Sequence, residues 1–156
     1  SREDMPMISA KADALIFHEI EPVFHFVALE FPKNYPRWSP EVSKLESLTP
    51  GPVQTGYQAR QVRVDQGQKT DSIFEVSEMI APSRIIFRGI SAPYVSTYEF
   101  EDLKASTRLI FTFELRELEA RLRPFEKLIR IALDDGAKRT VKRLKLLIER
   151  EMLDEL

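Results

Sequence analysis

Residues 94–116 read YVSTYEFEDLKASTRLIFTFELR, and the alternation in this stretch decides the fold. Tyr98 and Phe100 share one side of a strand against Thr97, Glu99 and Glu101, and Leu109, Phe111, Phe113 and Leu115 share one side of the next against Arg108, Thr112, Glu114 and Arg116. Apolar residues on a period of two mark strands with one buried and one wetted face. The five residues between them, 102–106, suit an antiparallel return.

Toward the C-terminus the period changes. Phe125, Leu128, Ile129, Ala132, Leu133, Val141, Leu144, Leu147 and Ile148 recur at helical spacing and predict one long amphipathic helix from residue 121 or 124 to 152. At 1.5 Å per residue, about 29 residues span about 43 Å, long enough to cross the whole inner face of a seven-stranded sheet. Gly136 in its middle costs about 1 kcal/mol relative to Ala; it either leaves space for a neighbour or sits on a solvated turn.

Toward the N-terminus the short links at 81–83 and 91–93 separate strands over 71–80, 84–90 and 94–101, with the last strand over 107–116. A strand over 42–48 ends in the turn Thr49-Pro50-Gly51-Pro52, another runs over 57–65, and Asp65-Gln66-Gly67-Gln68 reads as a hairpin turn. The first strand covers 8–18. Pro22 ends it, and residues 21–29 form a short helix with Val23, Phe26 and Val27 about a turn apart, stopped by Pro32. FPKNYPRWSP at 31–40 reads as a rigid, irregular or one-turn-helical connection pinned by Tyr35 and Trp38, with Trp38 anchored in the core. The fold class is therefore α+β: a curved antiparallel sheet of seven strands wrapped around a long C-terminal helix, with short helical structure after the first strand. A straight rod cannot lie flush along a curved sheet, so the space between them is a candidate ligand cavity.

Composition narrows the function classes. The 156 residues fit a single domain, 1–156, and residues 1–6 read as a disordered or processing-derived leader. A net charge of -2 argues against a nucleic-acid partner, and no apolar run is long enough to span a bilayer. With no cysteine, thiol nucleophiles, disulfides and zinc–thiolate sites drop out, and two histidines cannot build a His-rich metal cage, so no metal and no cofactor are expected. The N-terminal stretch lacks the basic-then-apolar order of a signal peptide, which points to a cytoplasmic location. A homodimer is compatible with the pattern.

Five stretches also resemble a known family: YPRWSPEV at 35–42, LTPGPVQTG at 48–56, APSRIIFRG at 81–89, STYEFE at 96–101 and TRL at 107–109. Together, over about residues 8–148, they look like the polyketide cyclase/dehydrase and lipid transport branch of the START-like, or SRPBCC, superfamily. The resemblance implies the helix-grip (START/Bet v 1-like) fold. It implies no reaction, because no catalytic signature maps residue by residue onto this chain.

His18 and His25 are the usual general-base residue type, but no nucleophile or carboxylate stands at a spacing that completes a triad. The strand at 57–65 offers polar groups in one of two phases. If Tyr57, Ala59, Gln61 and Arg63 face inward, an amide and a guanidinium enter the cavity; the competing phase turns Val62 and Val64 inward, with a bulge as the join. In the next strand Phe74 and Val76 face inward and carry Glu78 toward the rim, while Arg88 is a solvent-facing position. The aromatic set Trp38, Tyr57, Phe74, Phe87, Tyr98, Phe100, Phe111, Phe113 and Phe125 supplies core and cavity lining together, faced by aliphatic helix residues such as Ile129 and Leu133. Tyr98 is the candidate for an inward hydroxyl. The basic residues Lys138, Arg139, Lys142, Arg143 and Lys145 read as the solvated face of the helix, and Ser91-Ala92-Pro93-Tyr94 as a candidate gate.

The expectation is binding rather than catalysis: a small hydrophobic or planar aromatic ligand, lipid or polyketide-like, held between sheet and helix. The enzymatic alternative is a polyketide cyclase, aromatase or dehydratase in which Arg63, Gln61 or Tyr98 polarises a carbonyl. A third reading, a non-enzymatic partner-binding module, requires an exposed apolar patch, which the sequence does not single out.

Overall fold

A computed structural model describes residues 8–154; the expected leader lies outside them. Strand β1 (Ile8–Ile16) leads into helix α1 (Ile20–Phe24), a π-helical turn (His25–Leu29) and helix α2 (Phe31–Trp38). Six strands follow, β2 (Val42–Ser47), β3 (Gln58–Asp65), β4 (Gln68–Ile80), β5 (Arg84–Gly89), β6 (Tyr94–Asp102) and β7 (Thr107–Leu115). A 3-10 segment (Ala120–Phe125) then enters the long helix α3 (Glu126–Asp154). The strands form one antiparallel sheet in the order β1-β7-β6-β5-β4-β3-β2. This is the helix-grip architecture that the alternation at 94–116 predicts.

The strand order explains the helices at the front of the chain. β1 and β2 lie at opposite edges, so the chain must cross the whole sheet between them, and it does so through α1, the π-helical turn and α2. The connection is more helical than its three prolines suggest. Pro32 sits in the first turn of α2, where a missing N–H leaves nothing unsatisfied, and α2 runs two turns to Trp38. Its apolar residues are laid onto the sheet: the Phe31 ring stacks on Phe87 of β5 at 4.2 Å, and Phe24 meets Phe100 of β6 edge-on at 5.2 Å.

That packing corrects the expectation for α3. The long helix does not cover the whole inner face; it rests chiefly on β1 and β7, because the short helices already occupy the concave side of β4–β6. It is anchored mainly through its later part, by Ala137, Val141, Leu144 and Ile148, all buried, with half-buried Leu133 packed against the core one turn earlier. In its first turns Leu128 is 65% exposed and Ile131 52%, and Phe125 just before them is 53% exposed. These three large apolar residues stand exposed at the start of the helix, where the helical period predicts Phe125 and Leu128 on its buried stripe.

Two irregularities set which side chains face in. β3 pairs with β4 without interruption and turns Ala59 and Gln61 inward, on the side of Tyr57 just before it; of the competing phase Val62 is buried as well and Val64 is exposed, and the bulge lies in β2, between Val42 and Lys44. In β4 the register shifts between Val76 and Glu78. The shift moves Met79 to the inner side opposite Ile85 and Glu78 to the outer side opposite Ile86, where Glu78 accepts a hydrogen bond from Arg84 Nε at 3.0 Å. The rim position expected for Glu78 is therefore wrong. Arg88 is exposed on the outer face, as expected.

Candidate functional site

Between the sheet, α2 and the middle of α3 lies a cavity of about 760 Å³. β6 contributes Tyr94, Ser96 and Tyr98, spaced two residues apart on the inner face; β7 adds Phe111 and Phe113, and β3 adds Gln61 and Arg63. Trp38 and Tyr35 enter from α2 and Leu133, Gly136 and Ala137 from α3. Trp38, Gln61, Arg63, Tyr98, Phe111, Phe113 and Leu133 thus meet around one space. Tyr57, Phe74, Val76, Phe87 and Phe100 do not: all are buried in the core, where Phe31 covers both Phe74 and Phe87, Phe24 meets Phe100 and the Tyr57 hydroxyl bonds Ser47. Phe125 turns outward, and Ile129 is half-buried beside the cavity rather than on its wall.

A polar network runs through the inner wall. Arg63 Nη1 donates to the Tyr35 hydroxyl at 2.9 Å and to Ser39 Oγ at 3.0 Å. The Tyr35 hydroxyl donates to Gln61 Oε1 at 2.9 Å, and Gln61 Nε2 donates to the Tyr94 hydroxyl at 2.9 Å. Each group passes a hydrogen bond to the next, in one direction, starting from a guanidinium. Burial raises the Tyr35 pKa against the opposing pull of Arg63, and burial pushes Tyr94 up to about 12. Burial also raises Tyr98, whose hydroxyl accepts Trp38 Nε1–H at 3.4 Å. All three phenols are neutral donors near neutral pH.

Charges close the cavity's mouth in pairs. Burial works against the Arg63 charge, but the Tyr35 and Asp65 oxygens outweigh it and hold its pKa above the usual range. Arg63 meets the Asp65 carboxylate at 3.2 Å, and Arg143 of α3 meets Glu41 at 3.2 Å. Burial raises the Glu41 pKa, yet its own backbone N–H with Arg143 and Arg63 outweighs this and lowers it. The basic face of α3 is accordingly divided. Lys138 and Lys142 are exposed, Arg139 and Arg143 stand on the cavity wall, and Lys145 donates to the Leu15 carbonyl at 2.5 Å and to Glu149 at 2.9 Å.

Sequence reasoning missed Ser39, Ser96 and Thr140 on this wall and placed Tyr35 only as a pin. The signal for Tyr35 was present: in YPRW, Tyr35 and Trp38 are three apart and so share a helical face. Ala92 and Tyr94 of the candidate gate line the cavity, and Tyr94 stacks on Phe113 at 5.8 Å. His18 and His25 do not reach it. His18 Nδ1 accepts the Glu19 N–H, and exposed His25 stands 3.6 Å from Glu30 in a separate open groove of about 1070 Å³ with mostly polar walls. No cluster of metal-ligating side chains occurs among the described residues, and no helix among them is long and apolar enough to cross a membrane.

The fold has counterparts among solved structures. The Zhui aromatase/cyclase from Streptomyces sp. R1128 superposes with a TM-score of 0.76 at 14% identity, over 92% of this chain and 94% of that one. TTHA0849 from Thermus thermophilus gives 0.71 at 20% identity over 90% and 96%, and Ara h 8.0201 gives 0.57 at 9% identity over 90% and 96%. At these identities the likeness is one of fold. No curated protein matches the chain in sequence. A family model, described as polyketide cyclase / dehydrase and lipid transport, matches residues 7–149, nearly the whole chain. The chain belongs to the polyketide cyclase/dehydrase and lipid transport family.

Proposed function

We propose that this protein binds a small hydrophobic or planar aromatic molecule, lipid or polyketide-like, in the cavity between the sheet and α3. One observation carries the reading: a space of about 760 Å³, of the size that holds a small organic ligand, with Trp38, Tyr98, Phe111 and Phe113 among its walls and a polar network at one side. Apolar walls supply the free energy of transfer and the few polar groups fix orientation. A cytoplasmic location and a single-domain chain are part of the same reading.

Native mass spectrometry of the purified protein, followed by organic extraction after denaturation, tests it. A stoichiometric small molecule, or one taken up from an added lipid and aromatic panel, is the expected result. A protein that comes empty and takes up nothing from the panel overturns the reading.

A second reading, a cyclase or dehydratase, is favoured by one specific observation: Arg63 and Gln61 converge on the Tyr35 hydroxyl, each at 2.9 Å. A substrate carbonyl reaching that point would meet a charged, partly buried donor, which stabilises developing negative charge. Product formation from a bound poly-keto substrate, lost in Arg63→Met with binding retained, would move the assignment from carrier to enzyme.

A further inference from the structure

Two groups on the cavity wall keep unspent hydrogen-bonding capacity, one deep and one at the mouth. The Tyr98 hydroxyl belongs to a residue only 3% exposed, accepts Trp38 Nε1–H, and among the described residues finds no acceptor for its own proton. Burial holds it in the protonated form. A buried donor without an acceptor is costly, so a ligand oxygen placed there gains what the empty cavity lacks.

At the mouth the charges on the wall are Arg63, Arg139 and Arg143 against Glu41, Asp65 and Asp71. Arg63 and Arg143 are taken by Asp65 and Glu41, and Asp71 is held by Arg60 through both carboxylate oxygens, at 2.8 and 2.5 Å. Arg139, an exposed residue at the rim, is left over: among the described residues it makes no ion pair, not even with Asp135 one turn before it. Its Nη2 stands 3.7 Å from where a Cβ on Gly136 would be, so the guanidinium folds back along the helix beside the cavity wall.

We propose that the ligand is an amphipathic organic anion, with an apolar body against Phe111, Phe113 and Leu133, a carbonyl oxygen accepting the Tyr98 proton, and a carboxylate held by Arg139. A guanidinium meets a carboxylate through two parallel hydrogen bonds, which gives orientation as well as affinity. The inference rests on the cavity reading above and adds polarity to it.

A matched set of probes tests it: 4-benzoylbenzoate, which has ketone and carboxylate; 4-benzylbenzoate, which lacks the ketone; and benzophenone, which lacks the carboxylate. Affinities are read by calorimetry, and the two benzophenone-type probes are photo-crosslinked and their attachment sites mapped. The keto acid should bind about tenfold tighter than either analogue. Arg139→Gln should erase its advantage over benzophenone, and Tyr98→Phe its advantage over 4-benzylbenzoate. Because Tyr98→Phe also strips Trp38 of an acceptor, the infrared ketone band of the bound probe is measured in the folded wild type; a downshift marks the hydrogen bond directly. Equal binding of all three probes, with crosslinks on the cavity wall, overturns the proposal and leaves the cavity reading standing. A keto-acid preference unchanged by Arg139→Gln overturns the assignment to Arg139. Binding of none, or crosslinks only elsewhere, overturns the proposal and counts against the cavity reading too.

Discussion

Arg63 reaches from β3 to the hydroxyl of Tyr35 on α2, 2.9 Å away, and so ties the sheet to the short helix that crosses it. The tie extends past the pair, because the same hydroxyl donates to Gln61. Tyr35→Phe leaves Arg63 with one fewer acceptor and the buried Gln61 carbonyl oxygen without its donor. A loss of about 1–3 kcal/mol in unfolding free energy is expected by urea denaturation. An unchanged midpoint would mean that the network contributes nothing to stability.

The phenols of Tyr35, Tyr94 and Tyr98 share a direction. Their folded pKa values lie above the unfolded value near 10, so the stability they contribute is fully present below about pH 10 and is lost as pH rises through the folded values, about 12 for Tyr94. Tyr35, Tyr94 and Tyr98 should therefore resist ionisation above pH 10 when absorbance near 295 nm is followed, until unfolding releases them together. Titration of these three near 10 in the folded protein would contradict the buried network.

Gly136 and the cavity make opposed demands. A Cβ there meets only Arg139 Nη2 at 3.7 Å, so Gly136→Ala should stabilise α3 by about 0.5–1 kcal/mol. Gly136→Phe places a ring on the cavity wall. It should keep the fold and cut uptake of an apolar fluorescent dye at least severalfold, measured by titration.

Gly89 has no such freedom. A Cβ on it would stand 2.2 Å from the Ala92 carbonyl oxygen and 2.8 Å from the Tyr94 ring, and a backbone atom cannot yield as a flexible side chain does. Gly89→Ala should lower stability by about 1–3 kcal/mol and displace the 91–94 loop. Enhanced amide exchange confined to that loop and Tyr94 is the expected readout.

The two halves of α3 should answer differently to truncation. Leu144, fully buried, should cost about 2–5 kcal/mol on replacement by Ala, whereas Leu128, 65% exposed, should change stability by less than about 0.5 kcal/mol. Equal losses from thermal melts of the two variants would show that the start of the helix is as firmly packed as its end.

Much of this architecture is legible because strands report their own faces. The alternation at 97–101 and 108–116 predicts the inward side of β6 and β7, and the inner positions Tyr98, Phe100, Leu109 and Phe111 are buried. The failures have local causes. Extending the phase of Phe74 and Val76 misplaces Glu78, because the extension runs through a bulge that no residue type announces. Phe74, Phe87 and Phe100 read as lining together with Phe111 because alternation says that a side chain points inward, not what meets it there. The answer comes from Phe24 and Phe31, which a non-local crossing of the sheet brings over them. Likewise the helical period of α3 gives its apolar positions without saying that full burial begins only at Ala137.

That late anchorage makes α3 a lever. With Leu133 the first side chain packed against the core, about seven residues, or about 10 Å of helix, project beyond the fulcrum, and a tilt of about 5° there would carry the first turn about 0.9 Å. Leu133 stands at the base of this arm and lines the cavity, so such a rotation would alter the width of the space at one end without breaking a strand pair or uncovering Leu144 or Ile148. The hydroxyls of Tyr94, Ser96 and Tyr98, carried by a strand paired on both sides, would stay where they are.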